Sequence, residues 1–322
     1  MSEPRRHHFV PASYLGGFSS ATGLLAVIGM HGKRWEATPA SIAFERDLYR
    51  LEGVEGIDPN DFEKGFASLE GQFVTVLRDI SDSAHLPDTS SEEFAVLIEY
   101  LALMMVRSPE LRNRVTADVR ELAETVDREM TSSPERFAAT LEQAKSQGLD
   151  VPEDPELIEK IRRLPLGERF TIHVPNAFFM RALFSGLDMV RSALAARNWT
   201  LYCADAAGFV TSDRPVAVTL SELGMESERR ADFRDPDSDI TFPLNQNYFL
   251  FGSSQRCASR STLNASRREV ASLNSRTISM ANRFVCWSGG ELLWMTAART
   301  LADADQFFKA VCDRSRGLGS RD

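Results

Sequence analysis

The chain has 322 residues, of which 43% are hydrophobic and 26% are charged, close to the average of globular proteins. This composition excludes a disordered tail and a fibre, and the length allows one large domain or two small ones. The formal net charge of −9 argues against polyanion binding driven by net charge alone, although it does not exclude a local basic cleft.

The first third of the chain begins with a predicted hairpin and continues into helices. The stretches LLAVIGM (24–30) and KRWEAT (33–38) flank a Gly-containing turn, which predicts two antiparallel strands. Pro39 follows a threonine, as at many helix starts, so we expect a short helix that runs to about Tyr49. Apolar residues then recur with a helical period over 62–80 and 90–108, which predicts two helices with a buried face.

The middle of the chain is predicted to be mostly helical, with a linker candidate at 147–169. Charged helices are expected at 110–130, 134–147 and 154–164, the last of them in a stretch rich in Pro and Gly. The segment 175–198 is apolar on more than one face. It fits either a core helix or the contact face of a homodimer, and its periodicity does not distinguish the two.

After residue 198 the apolar period changes towards two, which is typical of strands. Strands are predicted at 199–205, 208–212, 215–220, 240–244 and 247–252. The remaining predicted elements are a helix at 264–282, a hairpin of two strands at 284–288 and 292–297, and a helix at 303–314.

This order of elements indicates an α+β fold, because helices in the middle separate mostly antiparallel strands rather than alternate with them. We expect a single compact domain over 1–322. A helical sub-region, 58–198, packs on a mainly antiparallel sheet. The N-terminal hairpin and the strands of the mostly β sub-region, 199–297, build that sheet.

No segment predicts export or membrane insertion. The N-terminal residues lack the apolar run of a signal peptide, and the longest apolar stretch, 95–106, is shorter than the about 20 residues that span a bilayer. Four cysteines form no CxxC pair, which excludes a local zinc-ribbon or thioredoxin motif and favours reduced thiols. They are Cys203, Cys257, Cys286 and Cys312. We therefore expect a cytoplasmic protein without a membrane partner.

Standard catalytic motifs are absent. The sequence has no GxxxxGK[ST], no GxGxxG after a strand, no HExxH and no GxSxG, so it predicts no nucleotide cofactor and no α/β-hydrolase nucleophile.

Three local patterns nevertheless carry groups that can do chemistry. His7 and His8 are adjacent, so in a strand one can enter a site while the other packs; the alternative is a satisfied pair at a chain end. Asp213 ends a predicted strand and can bind a metal, act as a base or simply stabilise a turn. Arg107 ends an apolar helix and either pairs with a carboxylate, a carbonyl or an anionic ligand, or caps the last carbonyls of that helix.

Six motifs together resemble one bacterial family. They are HHFVPASYLGGF (7–18), SLEGQF (68–73), VRSP (106–109), GFVTSDRPV (208–216), TFPLN (241–245) and LNSRTISMANRFV (273–285). In this order they resemble the family called domain of unknown function 4238 over nearly the whole chain. The resemblance is weak over 110–170, which it marks as a variable insertion.

The resemblance implies a set of residues rather than an activity. The motif positions of the family fall on His7, His8, Pro11, Tyr14, Leu15, Phe18, Arg107, Ser212, Asp213, Pro215 and Asn274. Polar groups from distant parts of the chain suggest one site, made of His7, His8, Arg107, Ser212, Asp213 and Asn274. At Arg214 the chain departs from the family, where a small polar residue is expected.

Two functions fit this set. In the first, the protein is a metal-dependent hydrolase of phosphodiesters, of nuclease type, and a bacterial defence or toxin effector. His8 and Asp213 then bind Mg²⁺, Mn²⁺ or Zn²⁺, Arg107 holds a phosphate, and nucleic acid enters a local cleft. In the second, the protein is a non-catalytic binding or regulatory module, and the same side chains form a buried polar network. The exposure and pairing of His8 and Asp213 distinguish the two.

Overall fold

A computed structural model describes five parts of the chain: residues 6–51, 58–205, 207–221, 231–254 and 262–318. The chain divides into two compact units, one of Met1–Ser108 with Leu183–Asp322 and one of Pro109–Ala182. The expectation of a single domain over 1–322 with a variable insertion at 110–170 stays a prediction.

The helices follow the sequence periodicity closely. They are α1 (Ala12–Gly16), α2 (Asp61–Ser83), α3 (Glu92–Val106), α4 (Pro109–Met130), α5 (Pro134–Ser146), α6 (Pro155–Arg163), α7 (Leu166–Arg169), α8 (Asn176–Ala195), α9 (Arg267–Met280) and α10 (Ala304–Leu318). Several helix starts carry side-chain caps: Ser91 accepts from the Phe94 amide, and Ser266 forms a capping box with Glu269.

The strands belong to the first unit. They are β1 (Arg6–His8), β2 (Leu25–Gly29), β3 (Lys33–Ala37), β4 (Phe44–Arg46), β5 (Asn198–Ala204), β6 (Thr211–Ser212), β7 (Ala217–Leu220), β8 (Ser238–Pro243), β9 (Tyr248–Ser253), β10 (Thr262–Ala265), β11 (Phe284–Trp287), β12 (Trp294–Met295) and β13 (Leu301–Ala302).

Within the described residues, these strands form two larger sheets and two short strand pairs. One sheet has the order β10-β5-β9-β8-β7 and is antiparallel apart from the parallel pair β10–β5. The other has the order β3-β2-β11-β6 and is antiparallel throughout. The α+β prediction is confirmed, and the N-terminal hairpin joins the C-terminal strand β11 as expected. The C-terminal strands, however, divide between two sheets instead of building one.

Two predicted elements were wrong for a tertiary reason. Only Pro39–Ser41 forms a helical turn, and the residues after it make β4, because β1 supplies its backbone partners from far away in the sequence. The strands β11 and β12 do not form a hairpin with each other. Instead, β11 pairs with β2 and β6, and β12 pairs with β13.

Aromatic rings hold the N-terminal segment of the first unit against its core. Phe73 of α2 stacks on Tyr100 of α3 at 3.7 Å between ring centroids, and Tyr14 of α1 stacks on Phe242 of β8 at 5.1 Å. The Tyr14 hydroxyl donates to the Pro243 carbonyl at 2.7 Å. Because Tyr14 and Phe242 are almost fully buried, the Tyr14 contacts fix the segment that carries the two histidines, while the Phe73 stack joins α2 to α3.

The second unit is held by charged contacts in addition to its buried apolar residues. Arg162 donates to the Thr131 carbonyl at 2.8 Å and pairs with Glu159 at 2.7 Å. Arg169, whose side chain is largely buried, pairs with Asp127.

No helix in the described part of the chain is long and apolar enough to cross a bilayer. Cys203, Cys286 and Cys312 are free thiols, and Cys257 lies outside the described residues.

Candidate functional site

The pairing of β1 with β4 turns His7 into the core. His7 lies opposite Glu45 in this ladder and is fully buried. Its ring stacks on Tyr49 at 5.7 Å, and its Nδ1 accepts a hydrogen bond from the Tyr49 amide at 2.9 Å. Since neighbouring strand residues point to opposite faces, His8 points away from this contact.

Arg107 is the buried centre of a polar cluster. It follows α3 directly and is 1% exposed. Its Nη1 donates to Glu70 Oε1 at 2.6 Å, and its Nη2 donates to the His8 carbonyl at 2.5 Å. The guanidinium also lies 5.3 Å from the centroid of Tyr49 and 4.9 Å from that of Phe66. The side chain therefore connects α3 to β1 and α2 and does not cap its own helix.

Electrostatics keep this arginine charged. Burial opposes the charge, but the hydrogen bonds to the Tyr49 hydroxyl and to Glu70, together with the negative charge of Glu70, more than offset it and hold the pKa of Arg107 above its ordinary value. The Tyr49 hydroxyl donates to the Arg107 carbonyl at 2.9 Å, and burial raises the pKa of Tyr49 to about 12. Tyr49 is thus a neutral partner at physiological pH.

His8 differs from the other predicted residues, because it is only half-buried. It meets Phe44 edge to face at 5.7 Å, and its Nε2 is buried with no hydrogen-bond partner among the described residues. Burial lowers the pKa of His8, although the Ala40 carbonyl and Glu70 oppose this shift. Nearby, burial raises the pKa of Glu63, which also feels the charges of Arg107 and Glu70.

We expect acid to destabilise the protein partly through His8. A histidine whose folded pKa lies below its unfolded value binds more protons when unfolded, so stability falls as the pH drops below about 6.5. Glu70 favours the charged ring, whereas Arg107 and Arg6 disfavour it. His8→Asn should therefore flatten the pH dependence of the free energy of unfolding below about pH 6.5.

Urea titrations at several pH values measure this slope. His85→Asn is the control, since His85 is exposed. The same slope in wild type and His8→Asn would contradict the prediction.

Ser212 and Asp213 lie where β6 meets β11. Asp213 is 3% exposed, and its Oδ1 accepts from the Asn282 amide at 3.0 Å and the Phe284 amide at 3.2 Å. The buried Ser212 hydroxyl accepts from the Arg214 amide at 3.1 Å. The cavity beside Asp213 has a volume of about 80 Å³, far below the several hundred Å³ of typical small-ligand sites.

Asn274 bridges three backbone segments from α9. Its Oδ1 accepts from the Val210 amide at 3.0 Å, and its Nδ2 donates to the Leu293 carbonyl at 2.9 Å and the Gly208 carbonyl at 3.3 Å. Asn274 is fully buried, so these contacts use its amide group for cohesion of the core.

The contacts bring His7, His8 and Arg107 into one cluster, whereas Asp213 and Asn274 make their hydrogen bonds elsewhere in the unit. Within the described residues, no three His, Cys, Asp or Glu side chains are arranged to hold a metal ion. A divalent metal on His8 and Asp213 stays a prediction.

Sequence reasoning missed the partners Tyr49, Glu63 and Glu70. Glu70 had a signal, because it is the only acidic residue of the motif SLEGQF. A buried arginine elsewhere in the motifs needs such a carboxylate. Tyr49 and Glu63 lie outside the motifs and gave no comparable signal.

Comparison with known proteins places the chain in a family without assigning an activity. No curated protein and no solved structure matches it. The family model described as "Protein of unknown function (DUF4238)" matches residues 6–289. This range includes the six motifs and all six predicted site residues. The chain therefore belongs to the DUF4238 family, as its motifs indicate.

Proposed function

We propose that the protein is a non-catalytic binding or regulatory module whose motif side chains form a structural network. This buried polar network has two separate parts: His7 and Arg107 lie in one cluster, and Ser212, Asp213 and Asn274 make their hydrogen bonds elsewhere in the unit. Burial is the observation that carries the proposal: the exposed fractions of these five residues lie between 0% and 3%. Groups that act on a substrate have to reach it, whereas these groups point into the core.

The partners of the network support the same function. Arg107 joins β1 to α2, Asp213 holds the start of β11, and Asn274 ties α9 to the segments before β6 and β12. Most of these hydrogen bonds go to backbone groups of segments that are distant in the sequence. Buried hydrogen bonds between distant segments specify one arrangement of a core.

Metal-dependent hydrolysis of a phosphodiester is the second candidate, and His8 is the observation that favours it. Its Nε2 has no partner in the described part of the structure, and its lowered pKa keeps the ring neutral, as metal ligation and base catalysis require. On this alternative, His8 and Asp213 hold Mg²⁺, Mn²⁺ or Zn²⁺, Arg107 binds phosphate, and the substrate is nucleic acid. A defence or toxin role, a cytoplasmic location and a homodimer through 175–198 stay predictions.

Metal titration and nuclease assays separate the two candidates. We expect that Mg²⁺, Mn²⁺ and Zn²⁺ at millimolar concentration change the melting temperature of wild type and His8→Gln equally. We also expect neither protein to cleave labelled single- and double-stranded DNA or RNA. His85→Gln is the matched control at an exposed position. Metal-dependent cleavage by wild type and His85→Gln that is lost in a folded His8→Gln would overturn the proposal in favour of the hydrolase.

A further inference from the structure

A groove with a volume of about 690 Å³ lies along α9 of the first unit. Its volume is in the range of sites for small ligands. One face of α9 forms a wall of the groove. The lining residues on this face recur every three or four residues along the helix: Arg268, Ser272, Arg276 and Ser279. The opposite face of α9 is buried and includes Asn274. The groove therefore runs along the polar face of α9, and the buried face of the same helix carries Asn274 of the buried polar network.

Arginines give this groove a positive charge. Arg268, Arg276 and Arg299 line it, and no acidic residue is among its described lining residues. Arg276 is held in place, since it donates to Thr219 Oγ1 at 2.5 Å and pairs with Asp239 at 3.0 Å. Arg268 and Arg299 are exposed, and no carboxylate of the described residues pairs with either. Two neighbouring cations that no carboxylate of the described residues pairs with favour an anion, even in a chain with a net charge of −9.

The backbone fixes one of these cations in an uncommon conformation. Arg299 has a φ of 57°, in the left-handed region that side chains other than Gly rarely adopt. A turn holds it there: the Arg299 amide donates to the Thr296 carbonyl at 2.8 Å, and the Thr296 amide donates to the Thr300 carbonyl at 3.0 Å. The Arg268 guanidinium donates to the Arg299 carbonyl at 3.4 Å, which links both sides of the groove.

The other lining groups define the class of ligand. Hydroxyls of Ser272 and Thr219 lie along the groove, and hydroxyls together with guanidinium forks suit phosphate oxygens. Leu220 and Met295 add an apolar wall, where an organic group can pack. We propose that this groove binds a phosphorylated small molecule of nucleotide size. Arg268 and Arg299 contact its phosphates, and Met295 contacts its organic part. This site is separate from the buried polar network and does not depend on whether that network is catalytic.

Calorimetric titration with metal-free ATP and with inorganic pyrophosphate tests the proposal. Wild type should bind ATP with a Kd below about 1 mM in low salt. Arg268→Gln/Arg299→Gln should weaken both probes about tenfold or more, because it removes two charged donors. Met295→Ala should weaken ATP and leave pyrophosphate unchanged.

Arg267→Gln is the matched control, since Arg267 is the neighbour on α9 and pairs with Glu291 at 2.5 Å outside the groove. Its Kd values should stay within about twofold of wild type, and unchanged melting temperatures should show that all variants fold. Absence of binding of both probes by wild type, or an equal loss in Arg267→Gln, would overturn the site. Equal affinity of wild type for ATP and pyrophosphate would overturn the contact with an organic group.

Discussion

Arg107→Met is expected to lower the free energy of unfolding by about 3–5 kcal/mol, one of the two largest effects that we predict. The substitution removes the cation that pairs with Glu70 and donates to the His8 carbonyl, and leaves both acceptors without it. Loss of one partner from an ion pair leaves the other charge uncompensated, and the Glu70 side chain is only 22% exposed, so its carboxylate stays largely desolvated. Denaturant unfolding at pH 7 measures the change.

Two further variants make this result specific. Arg78→Met changes an exposed arginine of α2 and should alter stability by no more than about 0.5 kcal/mol. Arg107→Lys keeps the charge but lacks the planar fork that reaches both acceptors, so it should still be clearly destabilised. A stable Arg107→Met protein that loses ligand binding or activity would contradict the structural role and favour a phosphate-binding arginine.

Asn274→Leu is expected to cost about 3 kcal/mol or more. The leucine keeps the size of the side chain but removes one acceptor and two donated hydrogen bonds. The Val210 amide and the Gly208 and Leu293 carbonyls then lose a partner in the interior, and each such loss costs about 1–3 kcal/mol when the group is desolvated. Chemical denaturation checks this value.

The control is Asn264→Leu, at an exposed position of β10. It should change stability by no more than about 0.5 kcal/mol. If Asn274→Leu changes the free energy of unfolding by as little as Asn264→Leu, the amide contacts of Asn274 do not stabilise the core, and a functional role for this residue gains support.

The helices could be predicted from the sequence because their hydrogen bonds are local. The apolar period over 62–80 and 90–108 gave α2 and α3 with ends correct to within a few residues. Strand partners could not be predicted in the same way. β11 pairs with β2 from the opposite end of the chain, and no local pattern encodes that choice.

In the candidate site, too, the sequence identified individual residues but not their partners in space. The motifs selected His7, His8, Arg107, Asp213 and Asn274 without their partners. The tertiary structure supplied Tyr49, Glu70 and the backbone amides that these side chains contact. His8 is also less buried than the other motif residues. The sequence, in which His7 and His8 are adjacent, does not reveal this difference in burial.

The sequence by itself determined the α+β class, most helices and the family, because composition, periodicity and motif order are properties of the linear chain. Only the tertiary structure decided which polar groups are buried and which arginines lie together. Arg268 and Arg299 meet because α9 packs beside the turn that follows β12. Burial and electrostatic pairing depend on distances in space, and residues far apart in the chain set those distances.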